Sequence, residues 1–192
     1  MREVPNAALR ATLAPLRGFP RPWGVAGGWA LDLAAGELTR PHADVEISAF
    51  HSDLPELLRH LSDWRARVAS PEGGGLAPLR SSGDAAPPRH ELHLDRGMAH
   101  LEVLLEEREG DEVVFRRDRR IRLPMAEFLR LSPKGIPYVA PHWQLLYKAR
   151  DPRPKDEADF AYHATRLSPE ERNFLRRALA LHLPASAWLR DL

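Results

Sequence analysis

Two short stretches of this 192-residue chain hold residue types at spacings that can do chemistry. The first is Asp44-Val45-Glu46. On an extended strand, residues i and i+2 point to one face, so both carboxylates would project together. Two anions that close repel unless a cation lies between them. Hard carboxylate oxygens suit Mg²⁺, which takes one or two carboxylates and leaves its other positions to water and substrate phosphates. The second stretch is Gly27-Gly28, between a short apolar segment and a helix-like run. Glycines there let backbone N–H groups approach a phosphate, and the helix N-terminus adds a favourable dipole. Each stretch alone has a plainer explanation. A D-x-E pair also lies on the solvent face of an alternating strand, and a Gly-Gly pair also makes a tight strand-to-helix turn. Together they say more, because an anion cradle followed by an acidic strand sets a phosphate site beside a metal site.

Several elements must position these groups. Residues 23–26 read as a short buried strand, the glycines turn the chain, and residues 29–35 read as a short helix ending at Gly36. Residues 43–49 alternate as a strand, with Val45 and Ile47 on one face and Asp44, Glu46 and Ser48 on the other. Upstream, Leu9, Leu13 and Leu16 share one face of an opening helix, with Pro5 in its first turn and Pro15 disturbing its end. Downstream, Asp53 is the expected N-cap of a helix carrying Leu54, Leu57, Leu58, Leu61 and Trp64.

The Pro-, Gly- and Ser-rich residues 70–89 predict a long loop, flexible or functional, rather than a domain boundary. Residues 90–95 and 99–106 predict a hairpin turning at Arg96-Gly97. Further strand is expected at 112–115, 119–123 and 136–139. Beyond these, Pro141 opens a helix, residues 155–167 form another, and Ser168-Pro169-Glu170-Glu171 starts a third, with Phe174, Leu175, Leu179 and Leu183 inward. The reading is α+β: a small mixed sheet flanked by helices, with a core over residues 1–140 and a helical region over 141–192.

Composition narrows the function classes. The net charge of +1 gives no sequence-independent grip on a nucleic-acid backbone, so nucleic acid is not an expected partner. There is no cysteine, which removes disulfides and thiolate metal sites and fits a cytoplasmic location. No apolar run approaches the roughly 20 residues that span a bilayer, so no membrane partner is expected.

At Gly27-Gly28-Trp29-Ala30-Leu31-Asp32 and Thr39-Arg40-Pro41-His42-Ala43-Asp44-Val45-Glu46-Ile47 the chain resembles the nucleotidyltransferase superfamily. It is most similar to the aminoglycoside 2″-adenylyltransferase-like group, which is related to lincosamide nucleotidyltransferases. The resemblance resumes at His100-Leu101-Glu102-Val103, at Phe115-Arg116-Arg117, at Leu145-Leu146-Tyr147-Lys148-Ala149 and through Lys155-Asp156-Glu157-Ala158-Asp159-Phe160. The sequence departs from the superfamily pattern in having Gly28 and Trp29 where Gly-Ser is common, and Glu46 as the second carboxylate.

The resemblance implies that Asp44 and Glu46 hold Mg²⁺ against a nucleoside triphosphate, with Glu102 as third carboxylate, either metal ligand or general base. It implies Gly27 and Gly28 at the β- and γ-phosphates. Arg40 and His42 would steady phosphate or position Asp44, and Lys148 or Lys155 would neutralise triphosphate charge. The reaction implied is transfer of a nucleoside monophosphate, AMP from ATP first among them, to a hydroxyl of a small molecule such as an aminoglycoside, with release of pyrophosphate. Two other readings stay open: a non-catalytic nucleotide-binding or regulatory protein of the same fold, and an antitoxin-like enzyme modifying a protein or tRNA hydroxyl. Plainer roles fall to the rest. Asp32 reads as support for its helix, the Trp residues as core, Arg116–Arg122 as a solvated strand face with contact to an anionic substrate as the alternative, and the histidines other than His42 show no metal-ligand spacing in sequence.

Overall fold

The computed structural model describes Val4, residues 7–71 and residues 73–192; Pro5, the expected first-turn residue, lies outside them. The opening helix α1 (Ala7–Leu13) passes at Pro15 into a 3-10 turn over Ala14–Leu16, and Leu9, Leu13 and Leu16 are buried together. Among the described residues a ten-stranded sheet follows. Its strands are β1 (Gly24–Val25), β2 (Glu46–Phe50), β3 (Arg65–Ala69), β4 (Leu76–Pro78), β5 (Glu91–Arg96), β6 (Ala99–Glu109), β7 (Glu112–Val114), β8 (Arg122–Pro124), β9 (Leu129–Leu131) and β10 (Pro137–Val139). Their order is β4-β3-β5-β6-β2-β1-β10-β9, with β7 and β8 added beside β6. β2 runs parallel to β6 and β1 parallel to β10, while the other pairs are antiparallel, so the sheet is mixed.

Strand alternation divides the molecule into two cores. Ile47 and Ala49 of β2, Leu92 and Leu94 of β5, and Leu101, Val103 and Leu105 of β6 point to one face. There they pack with α1 and with α3 (Leu54–His60). On the other face, Phe50 and Leu104 pack with the helices α5 (Pro141–Lys148), α6 (Pro154–His163) and α7 (Pro169–His182). That second face also carries Glu46 and Ser48 of β2 and His100, Glu102 and Glu106 of β6. The remaining helices are α2 (Gly27–Ala35) and α4 (Met125–Phe128).

Some boundaries differ from expectation. Residues 70–89 are not one loop. β4 pairs with β3, and Ser81 and Asp84 form a capping box on a 3-10 turn over Ser82–Ala85. β3 follows the helix too closely and is too mixed in polarity for its period to show. Asp53 gives α3 no side-chain cap; its Oδ1 accepts from Arg108 at 3.2 Å. The hairpin turns at Gly97-Met98, because Arg96 still pairs with Ala99 and Gly97 supplies a φ of +59°. The cap at Ser168 is as expected, its Oγ accepting from Glu171 N–H at 3.2 Å. Phe174 and Leu183 are only partly buried, whereas Leu175 and Leu179 are fully so.

Candidate active site

The acidic centre starts from the pairing of β2 and β6. Glu46 stands opposite Glu102 on adjacent parallel strands, and both side chains leave the same face. Asp44 lies outside the strand: β2 starts at Glu46, not at residue 43, and Asp44 is exposed. The ladder gives the reason. Glu102 N–H donates to Val45 O at 3.1 Å and Ala26 N–H to Glu46 O at 2.8 Å, and pairing stops there, one residue after Asp44. Glu46 and Glu102 thus lie at the end of the ladder, with Asp44 just beyond it and near enough to act on Glu46 through its charge. Burial pushes the Glu46 carboxyl up, Glu102 pushes it further, and Asp44 adds to this, while the positive charges of Lys148 and Lys155 pull it back. A carboxyl crowded by two others is the electrostatic signature of a site that favours a cation. Carboxylate oxygens at one strand end are donors of the hard type that Mg²⁺ takes.

The two glycines are there for close approach. Gly27 has a φ of +62°, and a Cβ on it would coincide with the carboxylate of Glu46. A Cβ on Gly28 would stand 2.5 Å from Arg40 Nη2 and 2.5 Å from His42 Nδ1. Glu46 therefore packs on the first turn of α2 only because that turn lacks side chains. The Gly27 N–H donates to Gln144 Oε1 of α5 at 2.7 Å, so in this conformation it is not turned toward a phosphate.

Arg40 and His42 belong to a buried polar chain behind the glycines. Arg40 makes a two-pronged pair with Asp159 of α6, Nε and Nη2 each 2.9 Å from a carboxylate oxygen. Its Nη1 donates to His42 Nδ1 at 3.0 Å, which makes Nδ1 the acceptor and leaves the ring proton on Nε2. That proton goes to Asp32 Oδ2 at 2.5 Å, and Asp32, fully buried, also accepts from Thr39 N and Oγ1. Asp32 and His42 thus support the segment that delivers Asp44, as the sequence suggests for Asp32.

Lys148 and Lys155 differ in setting. Lys148 Nζ lies 2.7 Å from Asp156 Oδ1 and 3.0 Å from Asp159 Oδ2 and is mostly buried. Burial pushes Asp156 up, but Arg153 and Lys148 donate to it and hold it well below the usual carboxylate range. Lys155 is exposed at the start of α6. The KDEADF stretch is thus a clamp: Asp156 and Asp159, i and i+3 on one helix face, fix Lys148 and Arg40.

Beside Gly27 and Glu46 opens a cleft of about 360 Å³, whose walls include Lys148, Gln144, Tyr147, Arg116, Arg117 and Arg153. Asp44, Glu102, Arg40, His42 and Lys155 do not line it. The run Arg116–Arg122 divides. Arg116 and Arg117 stack over the Tyr147 ring at 4.9 and 5.1 Å, in the cleft wall, whereas Arg119, Arg120 and Arg122 pair with acids on the surface. The cleft floor holds Glu106, buried, pushed up by burial and bonded to Tyr147 Oη at 2.8 Å and Ser48 Oγ at 3.3 Å. Glu106 and Gln144 belong to no motif along the chain, and Tyr147 enters only within the Leu145–Ala149 match, with no role of its own. The one clue is that Glu106 continues the Glu102-x-Leu104 alternation.

The strand register also brings together histidines that their spacing does not. His93, His100 and Glu102 offer atoms within 4.8 Å of one another, although no spacing along the chain suggests it. The antiparallel β5–β6 register makes the cluster.

The sequence profile described as Aminoglycoside-2''-adenylyltransferase matches residues 8–71. That stretch contains Gly27, Gly28, Arg40, His42, Asp44 and Glu46, and ends before Glu102, Lys148 and Lys155. Comparison with curated proteins finds no match. Among solved structures, ANT(2'')-Ia in complex with adenylyl-2''-tobramycin has a TM-score of 0.60 at 16% identity, over 92% of this chain and 98% of that one. A solution structure of the antibiotic-resistance factor ANT(2'')-Ia gives 0.60 at 17% identity, over 93% and 92%. Lincomycin-bound LnuA, a lincosamide antibiotic adenylyltransferase, gives 0.57 at 16%, over 83% and 96%. The chain has the nucleotidyltransferase fold, and over residues 8–71 it is aminoglycoside-2''-adenylyltransferase-like.

Proposed function

We propose that the protein is a Mg²⁺-dependent, cytoplasmic nucleotidyltransferase that moves AMP from ATP to a hydroxyl of a small, amine-bearing molecule. One observation carries the reading: Glu46 and Glu102 lie side by side on parallel strands, with Asp44 at the ladder's end and a basic cleft next to them. Asp44 and Glu46 are the residues that would hold Mg²⁺, with Glu102 as third ligand or base. The ion, when bound, neutralises triphosphate charge and offsets the repulsion among the carboxylates.

The chain's own groups do the remaining work. Arg116, Arg153 and Lys148 supply positive charge along the cleft for the triphosphate. Glu102 takes the proton from the acceptor hydroxyl, whose oxygen attacks the α-phosphorus in line as the bond to pyrophosphate breaks. Gly27 leaves the cleft wall bare where the Glu46 carboxylate rests, and Gly28 leaves room for Arg40 and His42 behind it. An acceptor bearing ammonium groups is favoured by Glu91 and Asp151 at the cleft margin, which leave it partly acidic. Aminoglycosides have this chemistry, and the likeness to ANT(2'')-Ia supports them as the first acceptors to try.

The test is pyrophosphate release from ATP with Mg²⁺ in the presence of a panel of aminoglycosides and lincosamides, with mass spectrometry of the acceptor. Adenylylated product formed by the wild type and not by Glu102→Gln supports the reading. ATP consumption that yields no modified acceptor, or product formed equally by Glu102→Gln, would sink it.

A further inference from the structure

We propose that His93, His100 and Glu102 form a transition-metal site, suited to Zn²⁺, on the sheet face beside the nucleotide cleft. The strand register builds it. His93 of β5 stands opposite Glu102 of β6, and His100 precedes Glu102 by two residues, so all three project from one face. His93 Nδ1 lies 3.8 Å and His100 Nε2 3.5 Å from Glu102 Oε1. Ligand atoms about 2 Å from a tetrahedral ion stand roughly 3.3 Å apart, close to the spacing already present.

The outer nitrogens give an independent observation. His93 Nε2 lies 2.9 Å from Glu91 Oε1, and His100 Nδ1 lies 2.8 Å from Asp95 Oδ1. Asp95 is itself held by Arg67 Nη2 at 2.7 Å. A metal-bound histidine characteristically gives its other N–H to a carboxylate, which fixes the tautomer and aims the ring. Both histidines have a ring nitrogen placed for this here. With the proton kept on each outer nitrogen, as metal binding requires, the two inner nitrogens face the same oxygen of Glu102, which a cation would join. Two imidazoles and one carboxylate suit Zn²⁺ over Mg²⁺, and His100, about one-third exposed, leaves a way in.

Zn²⁺ bound there would engage Glu102 and withdraw it from the acceptor hydroxyl, making the site inhibitory. That consequence, unlike the binding itself, rests on the transferase reading.

The experiment is calorimetric titration of the full chain with Zn²⁺, without nucleotide, together with the visible spectrum of the Co²⁺-loaded protein. One Zn²⁺ per chain is expected. His93→Ala and His100→Ala should weaken it at least tenfold, and Asp95→Asn by about 10- to 100-fold through the outer carboxylate. Glu46→Gln should still bind Zn²⁺. Micromolar Zn²⁺ should inhibit AMP transfer by the wild type and not by His100→Ala. Absence of Zn²⁺ binding, or affinity unchanged in both histidine variants, would overturn the site. Zn²⁺ binding that depends on both histidines in a protein that binds no nucleotide would uphold the site and remove the transferase reading and the inhibition with it.

Discussion

Glu46 and Glu102 face each other across the parallel β2–β6 pair, and the first turn of α2 is bare glycine where the Glu46 carboxylate rests on it. Main-chain register keeps the two acids on one face of neighbouring strands. Burial, together with the charge of Glu102, raises the Glu46 carboxyl. A group with a raised folded pKa binds its proton more tightly folded than unfolded. Its stabilising effect is present below the unfolded value and is lost as pH rises through the folded one. Glu46→Gln should accordingly melt higher than the wild type at pH 7, and the gap should close below about pH 4, where an ordinary Glu is protonated. Melting curves across pH check this; a variant less stable at neutral pH would show that Glu46 is a structural support.

Gly27→Ala should cost more than backbone strain alone. Placing Ala at positive φ costs about 1–2 kcal/mol, which Gly135→Ala, at φ +74° with open space around it, should also lose. At Gly27 the new methyl also displaces the Glu46 carboxylate. Urea denaturation should show a larger loss for Gly27→Ala, accompanied by weakened Mg²⁺-dependent nucleotide binding, which Gly135→Ala keeps.

Much of this was legible from the residues. Alternation in β2 separated Glu46 and Ser48 from Ile47, and the Gly-Gly pair before a helix marked a turn free of side chains, although the group that packs on it is the Glu46 carboxylate. What escaped depended on partners distant in the chain. Asp44 falls outside its strand because β1 is only two residues long: its register ends at Ile47, with one further bond from Ala26 N–H to Glu46 O. The capture of Gly27 N–H by Gln144 spans 117 positions, and the cluster of His93, His100 and Glu102 exists only through β5–β6 register. β4 was hidden by Pro and Gly, which a sheet tolerates at an edge.

The basic run gives a contrast. Arg116 lies in the cleft wall over Tyr147, whereas Arg120 pairs with Asp118 on the surface. Arg116→Ala should weaken ATP binding about tenfold, the equivalent of about 1.4 kcal/mol, and Arg120→Ala should leave it unchanged. Equal losses in the two variants would mean that only general positive charge matters, which raised salt would then abolish in the wild type.

The most direct test is a calorimetric titration with ATP, with and without Mg²⁺, of the wild type and of Asp44→Asn. Asp44 is exposed at the ladder end, so its loss should leave the fold intact. The account predicts binding that requires Mg²⁺ in the wild type and falls at least tenfold in the variant. Binding indifferent to both Mg²⁺ and Asp44, or no binding of any nucleoside triphosphate, would contradict it.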